Sequence, residues 1–144
     1  MKRNALRLMA GLTVIGLTFA GCSPQATTTS KEAAITVEAD EASGLKTLTL
    51  SAHAAQRLGV QTADVADRGA GPVIPYAAVI YDSTGGTWAY TTTESLVFKR
   101  AAIAIEDITG DEAFLSDGPP SGTLVVTVGA AELYGAETGV GGGH

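Results

Sequence analysis

Cysteine, histidine and methionine are scarce in this sequence. The one cysteine, Cys22, excludes an internal disulfide and any zinc or iron–sulfur site built from several cysteines. The two histidines, His53 and His144, are far apart, and a metal site at either would need further ligands at matched spacing. The two methionines, Met1 and Met9, both lie near the N-terminus. We therefore expect no metal and no non-covalent cofactor.

Motifs that carry catalysis are also missing. No serine stands in a Gly-x-Ser-x-Gly elbow, and His53 has no local nucleophile as a partner. The segment Asp82-Ser83-Thr84-Gly85 has one residue too many for the Asp-Thr-Gly of an aspartic protease and is typical of a turn. The acidic run 106–112 lacks the loop of alternating oxygen ligands that binds calcium, and a solvated hairpin turn explains it better. We expect a protein that is not an enzyme.

The longest apolar run is short. Residues 8–20 are almost wholly apolar, but a membrane-spanning helix needs about 20 such residues. With Lys2 and Arg3 before it, the run is typical of the apolar core of a secretory signal peptide. It ends in Phe19-Ala20-Gly21-Cys22, which resembles a bacterial lipobox with Phe19 in place of the usual Leu. An ordinary signal peptide with an incidental cysteine is the alternative.

The lipobox resemblance predicts how the chain is processed. We expect a lipoprotein signal peptide over residues 1–21, a lipidated Cys22, and a flexible polar tether over residues 22–34. The covalent lipid is the one attached group that we expect. The protein would be exported and anchored to a membrane on its periplasmic or extracytoplasmic side, with the choice between inner and outer membrane left open.

Positive charge is limited. The chain has nine Lys and Arg against fifteen Asp and Glu, and three of the basic residues lie within residues 1–21. Cleavage before Cys22 would leave a net charge of 6 − 15 = −9. Proteins that bind nucleic acid by neutralising phosphates need clustered Lys and Arg. We therefore expect no nucleic-acid partner.

Between residues 35 and 134, short alternating or β-branched segments are separated by turns. This pattern predicts a mainly β domain, a small β-barrel or β-roll of about seven strands with one short helix. The helix is predicted over residues 52–58, because Ser51 can cap its start and Gly59 can end it. The Gly-rich residues 135–144 are predicted to be a disordered tail. The predicted strands cover residues 35–38, 46–50, 60–65, 73–81, 87–91, 96–105, 112–115 and 123–129.

The predicted hairpin around the Gly85-Gly86 turn brings three aromatic residues onto adjacent strands. Tyr81, Trp88 and Tyr90 are explained by cross-strand packing, and a ligand platform is the alternative. The predicted core comprises Leu48, Leu50, Leu58, Val60, Val79, Ile80, Trp88, Phe98, Ile103, Ile105, Phe114, Leu115, Val125 and Val128.

Several segments of the chain carry a family resemblance. The strand IPYAAVIYD (residues 74–82), the turn and return strand GGTWAY (85–90), the strand FKRAAI (98–103) and the element DGPPSGTLVVTVGA (117–130) follow one another in order. They resemble the "VPxxAV", "WVY", "F-x-x-R-x-V" and "GL-x-x-G-x-x-VV-x-x-GA" elements of periplasmic adaptor subunits, or membrane fusion proteins, of RND-type efflux pumps. The segment LTLSAHAAQRLGVQTADV (48–65) is similar to the strand–helix–strand that opens many heavy-metal-type adaptors.

The departures from the family pattern are large. A full adaptor has a lipoyl-like domain, an α-helical hairpin and a β-barrel between the opening segment and the "VPxxAV" strand, whereas here only residues 66–72 separate them. Arg100 stands one residue early, and Pro119 replaces the Leu of the last element. The resemblance covers residues 46–134 and matches the membrane-proximal β domain alone, which we expect to span residues 35–134.

The resemblance implies a lipid-anchored, non-catalytic accessory of a transmembrane efflux or export system that acts by protein–protein binding in the cell envelope. The implied partner is an RND-type transporter or a full-length adaptor subunit, besides the membrane itself. The residues expected to contact it are Tyr81, Trp88, Tyr90, Phe98 and Arg100. The alternative is a stand-alone envelope lipoprotein that binds a small molecule or an envelope component.

Overall fold

The computed structural model describes residues 33–139. The predicted signal peptide, Cys22, nearly all of the predicted tether and residues 140–144 lie outside the described residues. Lipidation at Cys22 therefore stays a prediction. Between residues 33 and 139, no helix has both the length and the hydropathy that crossing a membrane requires.

The described chain contains eleven strands, two α-helices and one 3₁₀ turn. The helices are α1 (Ala52–Leu58) and α2 (Ala130–Thr138), and the 3₁₀ turn is Tyr76–Ala78. The strands are β1 (Ile35–Ala39), β2 (Lys46–Leu50), β3 (Gln61–Asp64), β4 (Ala66–Asp67), β5 (Pro72–Pro75), β6 (Ile80–Tyr81), β7 (Thr87–Glu94), β8 (Val97–Ala102), β9 (Ala104–Thr109), β10 (Glu112–Asp117) and β11 (Leu124–Val128).

The strands form two antiparallel sheets. The larger sheet has the order β1–β2–β8–β7–β11–β3, with β6 paired to the start of β7. The smaller sheet has the order β4–β5–β10–β9. The prediction of a small, mainly β domain is confirmed, with more and shorter strands than expected. The larger sheet begins at β1 and ends at β3, so the described strands do not close into a barrel.

Helix α1 forms where the sequence predicted it, because both of its ends are specified locally. The hydroxyl oxygen of Ser51 accepts a hydrogen bond from the Ala54 N–H at 3.2 Å, a cap worth about 1 kcal/mol. Gly59 ends the helix with a left-handed φ of 61°, where a residue with a Cβ would be strained.

Two apolar cores lie on opposite faces of the larger sheet. The first lies under the helices and contains Leu48, Leu50, Ala54, Tyr90, Phe98, Val126, Ala130 and Leu133. The second lies between the two sheets and contains Val65, Ile74, Ala78, Ala89, Ile103, Ala113, Leu115 and Val125. Adjacent residues such as Ala89 and Tyr90 belong to different cores, because side chains alternate along a strand.

Two of the predicted strands are interrupted. The predicted strand 73–81 breaks after Pro75 into the 3₁₀ turn, which the Val79 N–H closes by donating to the Tyr76 carbonyl at 3.0 Å. The predicted strand 96–105 divides at Ile103, where the chain passes from β8 in the larger sheet to β9 in the smaller one. In both places one predicted strand is divided between two elements.

The C-terminal part differs most from expectation. Helix α2 runs to Thr138, so residues 135–138 are helical rather than part of a disordered tail. Leu133 and Glu137 are buried, which fixes this helix on the larger sheet. In the core, Val128 was predicted to be buried but is 41% exposed. The register of β11 on β3 shifts between Val126 and Val128, which disrupts the simple alternation of faces.

Candidate functional site

Four of the five residues expected to contact a partner lie on the helix-covered face of the larger sheet. Trp88 and Tyr90 occupy alternate positions of β7, and Phe98 and Arg100 occupy alternate positions of β8. Tyr90 lies directly opposite Arg100 in the neighbouring strand. Tyr90 is 0% exposed and Phe98 is 4% exposed, so neither ring is available to a partner in this conformation.

The fifth residue, Tyr81, lies on the other face of the sheet. It pairs with Thr87, whereas Ile80 pairs with Trp88 and packs against the first core. Tyr81 therefore points away from Trp88 and Tyr90, and the three rings do not form one ligand platform. Tyr81 is half exposed, and its hydroxyl lies 3.5 Å from that of Tyr76. The hydrogen bond to Tyr76 raises the pKa of Tyr81 above its ordinary value.

A buried polar cluster forms where α2 crosses the sheet. The Tyr90 hydroxyl donates to the Glu137 carboxylate at 2.5 Å, and Arg100 Nε lies 3.0 Å from the other oxygen of that carboxylate. The Lys46 ammonium donates to the main-chain carbonyl of Glu137 at 2.6 Å. The guanidinium carbon of Arg100 lies 4.3 Å from the centroid of the Trp88 ring. We call these five residues the Arg100 cluster.

The one carboxylate of the Arg100 cluster is paired with a cation. The side chain of Glu137 is 3% exposed and that of Arg100 is 17% exposed, so this is a buried ion pair. A buried carboxylate is costly unless it is paired and hydrogen-bonded, which Arg100 and Tyr90 achieve together. The Arg100 Nε–H is not directed at the carboxylate oxygen, so their attraction is that of an ion pair without a hydrogen bond. The stacking on Trp88 contributes about 0.5–2 kcal/mol.

The Arg100 cluster holds α2 on the larger sheet and keeps the Tyr90 hydroxyl protonated. Burial, and then the hydrogen bond to Glu137, raise the pKa of Tyr90 far above its ordinary value, because both disfavour the phenolate. Tyr90 therefore remains a proton donor to Glu137 at physiological pH. Lys46 lies at the C-terminal end of α2, where a cation also interacts favourably with the helix dipole.

The turn before β7 orients the Trp88 ring. The Asp82 carboxylate accepts hydrogen bonds from the Thr84 hydroxyl at 2.7 Å and from the Gly86 N–H and the Trp88 indole N–H at 2.8 Å each. These bonds, led by that from Thr84, hold the pKa of Asp82 well below its usual range. A Cβ at Gly86 would lie 2.7 Å from the Asp82 carboxylate, so a larger residue there would have to displace this side chain.

Two further surfaces are open. The first is the outer edge of β1, with which no described strand pairs. The Ser51 N–H donates to the Ala34 carbonyl, and hydrogen-bonded pairs alternate along an antiparallel ladder. The main-chain groups of Thr36 and Glu38 therefore face β2. The groups that face outward belong to Ile35, Val37 and Ala39.

The second open surface is a cleft of about 260 Å³ on the smaller sheet. Phe114 of β10 lines the cleft. Glu106 and Asp107 of β9 line one side of it, and Gly71 and Pro72, at the start of β5, line the other. The Thr109 hydroxyl donates to Asp107 at 2.8 Å and so fixes that carboxylate. Within residues 33–139, no three Cys, His, Asp or Glu side chains are placed to hold a metal ion.

Sequence reasoning missed most residues of both polar sites. Glu137 could have been found from the helical spacing of Ala130, Leu133, Tyr134 and Glu137, but its buried position carries a charge instead of an apolar side chain. The cleft depends on how β9 pairs with β10, which no local pattern specifies.

The chain was compared with protein-family models, with curated proteins and with solved structures, and it matches none of them.

Proposed function

We propose that this protein is a lipid-anchored, non-catalytic accessory of a transmembrane efflux or export system and that it acts by binding a protein in the cell envelope. The observation that carries the proposal is the open outer edge of β1. This strand directly follows the predicted tether, so the edge belongs to the part of the domain nearest the predicted anchor in sequence. The adaptor resemblance of the sequence supplies the kind of partner: an RND-type transporter or a full-length adaptor.

The outer edge of β1 suits strand addition. An extended segment of a partner can pair with the outward main-chain groups of Ile35, Val37 and Ala39 and so extend the larger sheet. The side chain of Val37 is 39% exposed on the helix-covered face and offers an apolar contact beside this edge. Strand addition needs no nucleophile and no metal.

The alternative, a small-molecule-binding lipoprotein, has less support at the aromatic hairpin. Tyr90 is buried and its hydroxyl is engaged by Glu137. Trp88 is half-buried, with Arg100 over its ring. Tyr81 lies on the opposite face. These rings do not enclose a ligand together.

The test is in-cell photocrosslinking from the native locus, with a photoreactive amino acid in place of Ala39. We expect crosslinks to an inner-membrane transporter or a full-length adaptor, identified by mass spectrometry. Val37→Pro should abolish them, because proline removes an outward N–H while the ladder to β2 keeps its hydrogen bonds. Val37→Ala is the matched control, since it shortens the side chain and keeps that N–H.

Two results would overturn the proposal. One is equal crosslinking in Val37→Pro and Val37→Ala, provided that the urea concentration at which each variant unfolds is the same as for the wild-type protein. The other is recovery of no transport component under conditions that capture a known adaptor. Anchoring is tested separately with Cys22→Ala, which should abolish incorporation of labelled fatty acid and release the protein from membranes.

A further inference from the structure

The cleft on the smaller sheet owes its charge to a β-bulge. Asp107 pairs with Phe114 and Ile105 pairs with Leu115, so Glu106 is an extra residue in β9. In a regular strand, consecutive side chains point to opposite faces. Here both Glu106 and Asp107 line the cleft beside Phe114. A bulge can re-aim a side chain in this way, and here two adjacent acidic residues line a cleft that also contains Phe114.

The two carboxylates have no cation of their own among the described residues. Residues 33–139 contain five Lys and Arg and fourteen Asp and Glu, a net charge of 5 − 14 = −9. Four of the five cations are engaged elsewhere: Arg68 with Glu112, Lys99 with Asp40, and Lys46 and Arg100 with Glu137. None of these four cations is paired with Glu106 or Asp107, so both exposed carboxylates are free to attract a cation from a partner.

We propose that this cleft is a docking site for a Lys or Arg side chain in a basic, partly apolar segment of a partner protein. Its aliphatic stem and charged head would lie over Phe114, and the head would meet Glu106 and Asp107. This inference rests on the proposed function, because it assumes a protein partner, and it adds the chemistry of the segment that the partner presents.

Volume and composition favour a side chain over other occupants. A cleft of about 260 Å³ is slightly below the roughly 300–1,000 Å³ of typical small-molecule sites, and its two exposed carboxylates complement a cationic side chain. A metal ion is disfavoured because the described residues place no three suitable ligands together. Complementary charge would also accelerate encounter with a basic partner, and this acceleration would decrease as salt is added.

The test uses the full chain, purified with its membrane anchor in detergent, and two fluorescein-labelled heptapeptides. One peptide is Gly-Leu-Arg-Leu-Lys-Leu-Gly, and the other has glutamine at both basic positions. Fluorescence anisotropy should show at least tenfold tighter binding of the basic peptide. Combined Glu106→Gln and Asp107→Asn should weaken that binding by about tenfold or more, and Phe114→Leu by a smaller factor.

The matched control is Glu38→Gln with Glu41→Gln, which removes the same charge from exposed positions near β1. It should change the affinity by less than about twofold, because these carboxylates lie outside the cleft. An equal loss in the control would overturn the inference, since net charge alone would then explain binding. Tighter binding of the octylammonium ion than of the basic peptide would also overturn it, in favour of a small cationic ligand.

Failure of this inference can be distinguished from failure of the proposed function. Val37→Pro alters the β1 edge and should leave peptide binding at the cleft unchanged. If the cleft variants bind the peptide normally while crosslinks from position 39 persist, only the cleft assignment is wrong. If the cleft binds the peptide as expected and no transport component is captured, the efflux proposal is wrong and the cleft assignment stands.

Discussion

The face of the larger sheet under the helices contains Tyr90, Arg100 and Glu137, whereas the core between the two sheets contains apolar side chains only. On the first side, a buried carboxylate is paired within the domain. On the second side, the core is uncharged, and the smaller sheet carries the exposed residues Glu106 and Asp107, which have no described cationic partner. Paired buried charge fixes an element of the fold, while unpaired exposed charge remains available for a partner.

The largest expected effect is at the buried carboxylate. Glu137→Ala leaves Arg100 without its counter-ion and Tyr90 without its acceptor, and we expect a loss of about 3–5 kcal/mol in the free energy of unfolding. Urea denaturation measures this loss. Glu137→Gln is the control, because it retains an acceptor for Tyr90 and should cost less. Hydrogen exchange should show that residues 130–138 lose most protection.

A loss below about 1 kcal/mol in Glu137→Ala would contradict the view that the Arg100 cluster fastens α2. It would then mean that Leu133 and Ala130 hold the helix by apolar contact alone. The two sides of the larger sheet would no longer differ in how they are stabilised.

The next effect is expected in the apolar core between the sheets. Ala89 is 0% exposed there, so Ala89→Leu must displace its neighbours and should cost about 1–3 kcal/mol. Ala101 lies opposite Ala89 in β8 and is only half-buried, so Ala101→Leu should cost clearly less. Thermal unfolding of the two variants measures both losses of stability. Equal losses would show that the side chains around Ala89 are not tightly packed.

The same contrast explains what sequence reasoning achieved. Helix α1 was predicted to the residue because Ser51 and Gly59 are local signals. The turn at Asp82 was predicted for the same reason. Helix α2 was missed because Gly135 lies inside it, glycines follow it, and its last buried position is a glutamate. The interruptions at Tyr76 and Ile103 were not located, because the neighbouring residues, Ala77 and Ala78 at the first and Ala102 and Ala104 at the second, are apolar and carry no turn signal.

Polar sites built from distant residues were out of reach for a different reason. Arg100 meets Glu137 only once α2 has packed on β8, and the bulge at Glu106 exists only once β9 has paired with β10. Sequence reasoning could relate Trp88 to Tyr90 through the predicted hairpin, and it could name Arg100 only through the family resemblance. It could not supply the carboxylate that joins them.

A smaller effect is expected at high pH. The pKa of Tyr90 is raised in the folded protein above its ordinary value of 10.0. The stability that the protonated Tyr90 contributes is therefore present in full below pH 10. Stability should decrease as pH rises above 10, by at most about 1.4 kcal/mol per pH unit from this one group, because the unfolded chain loses its proton first. Urea denaturation between pH 9 and 11 should show the stability advantage over Tyr90→Phe narrowing. An advantage that is constant across this range would mean that Tyr90 ionises equally well in both states.

The smallest effect on stability is expected at the cleft. Combined Glu106→Gln and Asp107→Asn should change the free energy of unfolding by no more than about 0.5 kcal/mol, because both side chains are exposed and neither has a described cationic partner. A slight gain is expected, since the substitutions remove repulsion between adjacent carboxylates. Urea denaturation of this double variant and of Glu137→Gln compares the cost of removing exposed charge with the cost of removing buried charge. If the cleft substitutions destabilised the domain as much as Glu137→Gln, these carboxylates would be part of the fold and would not be free for a partner.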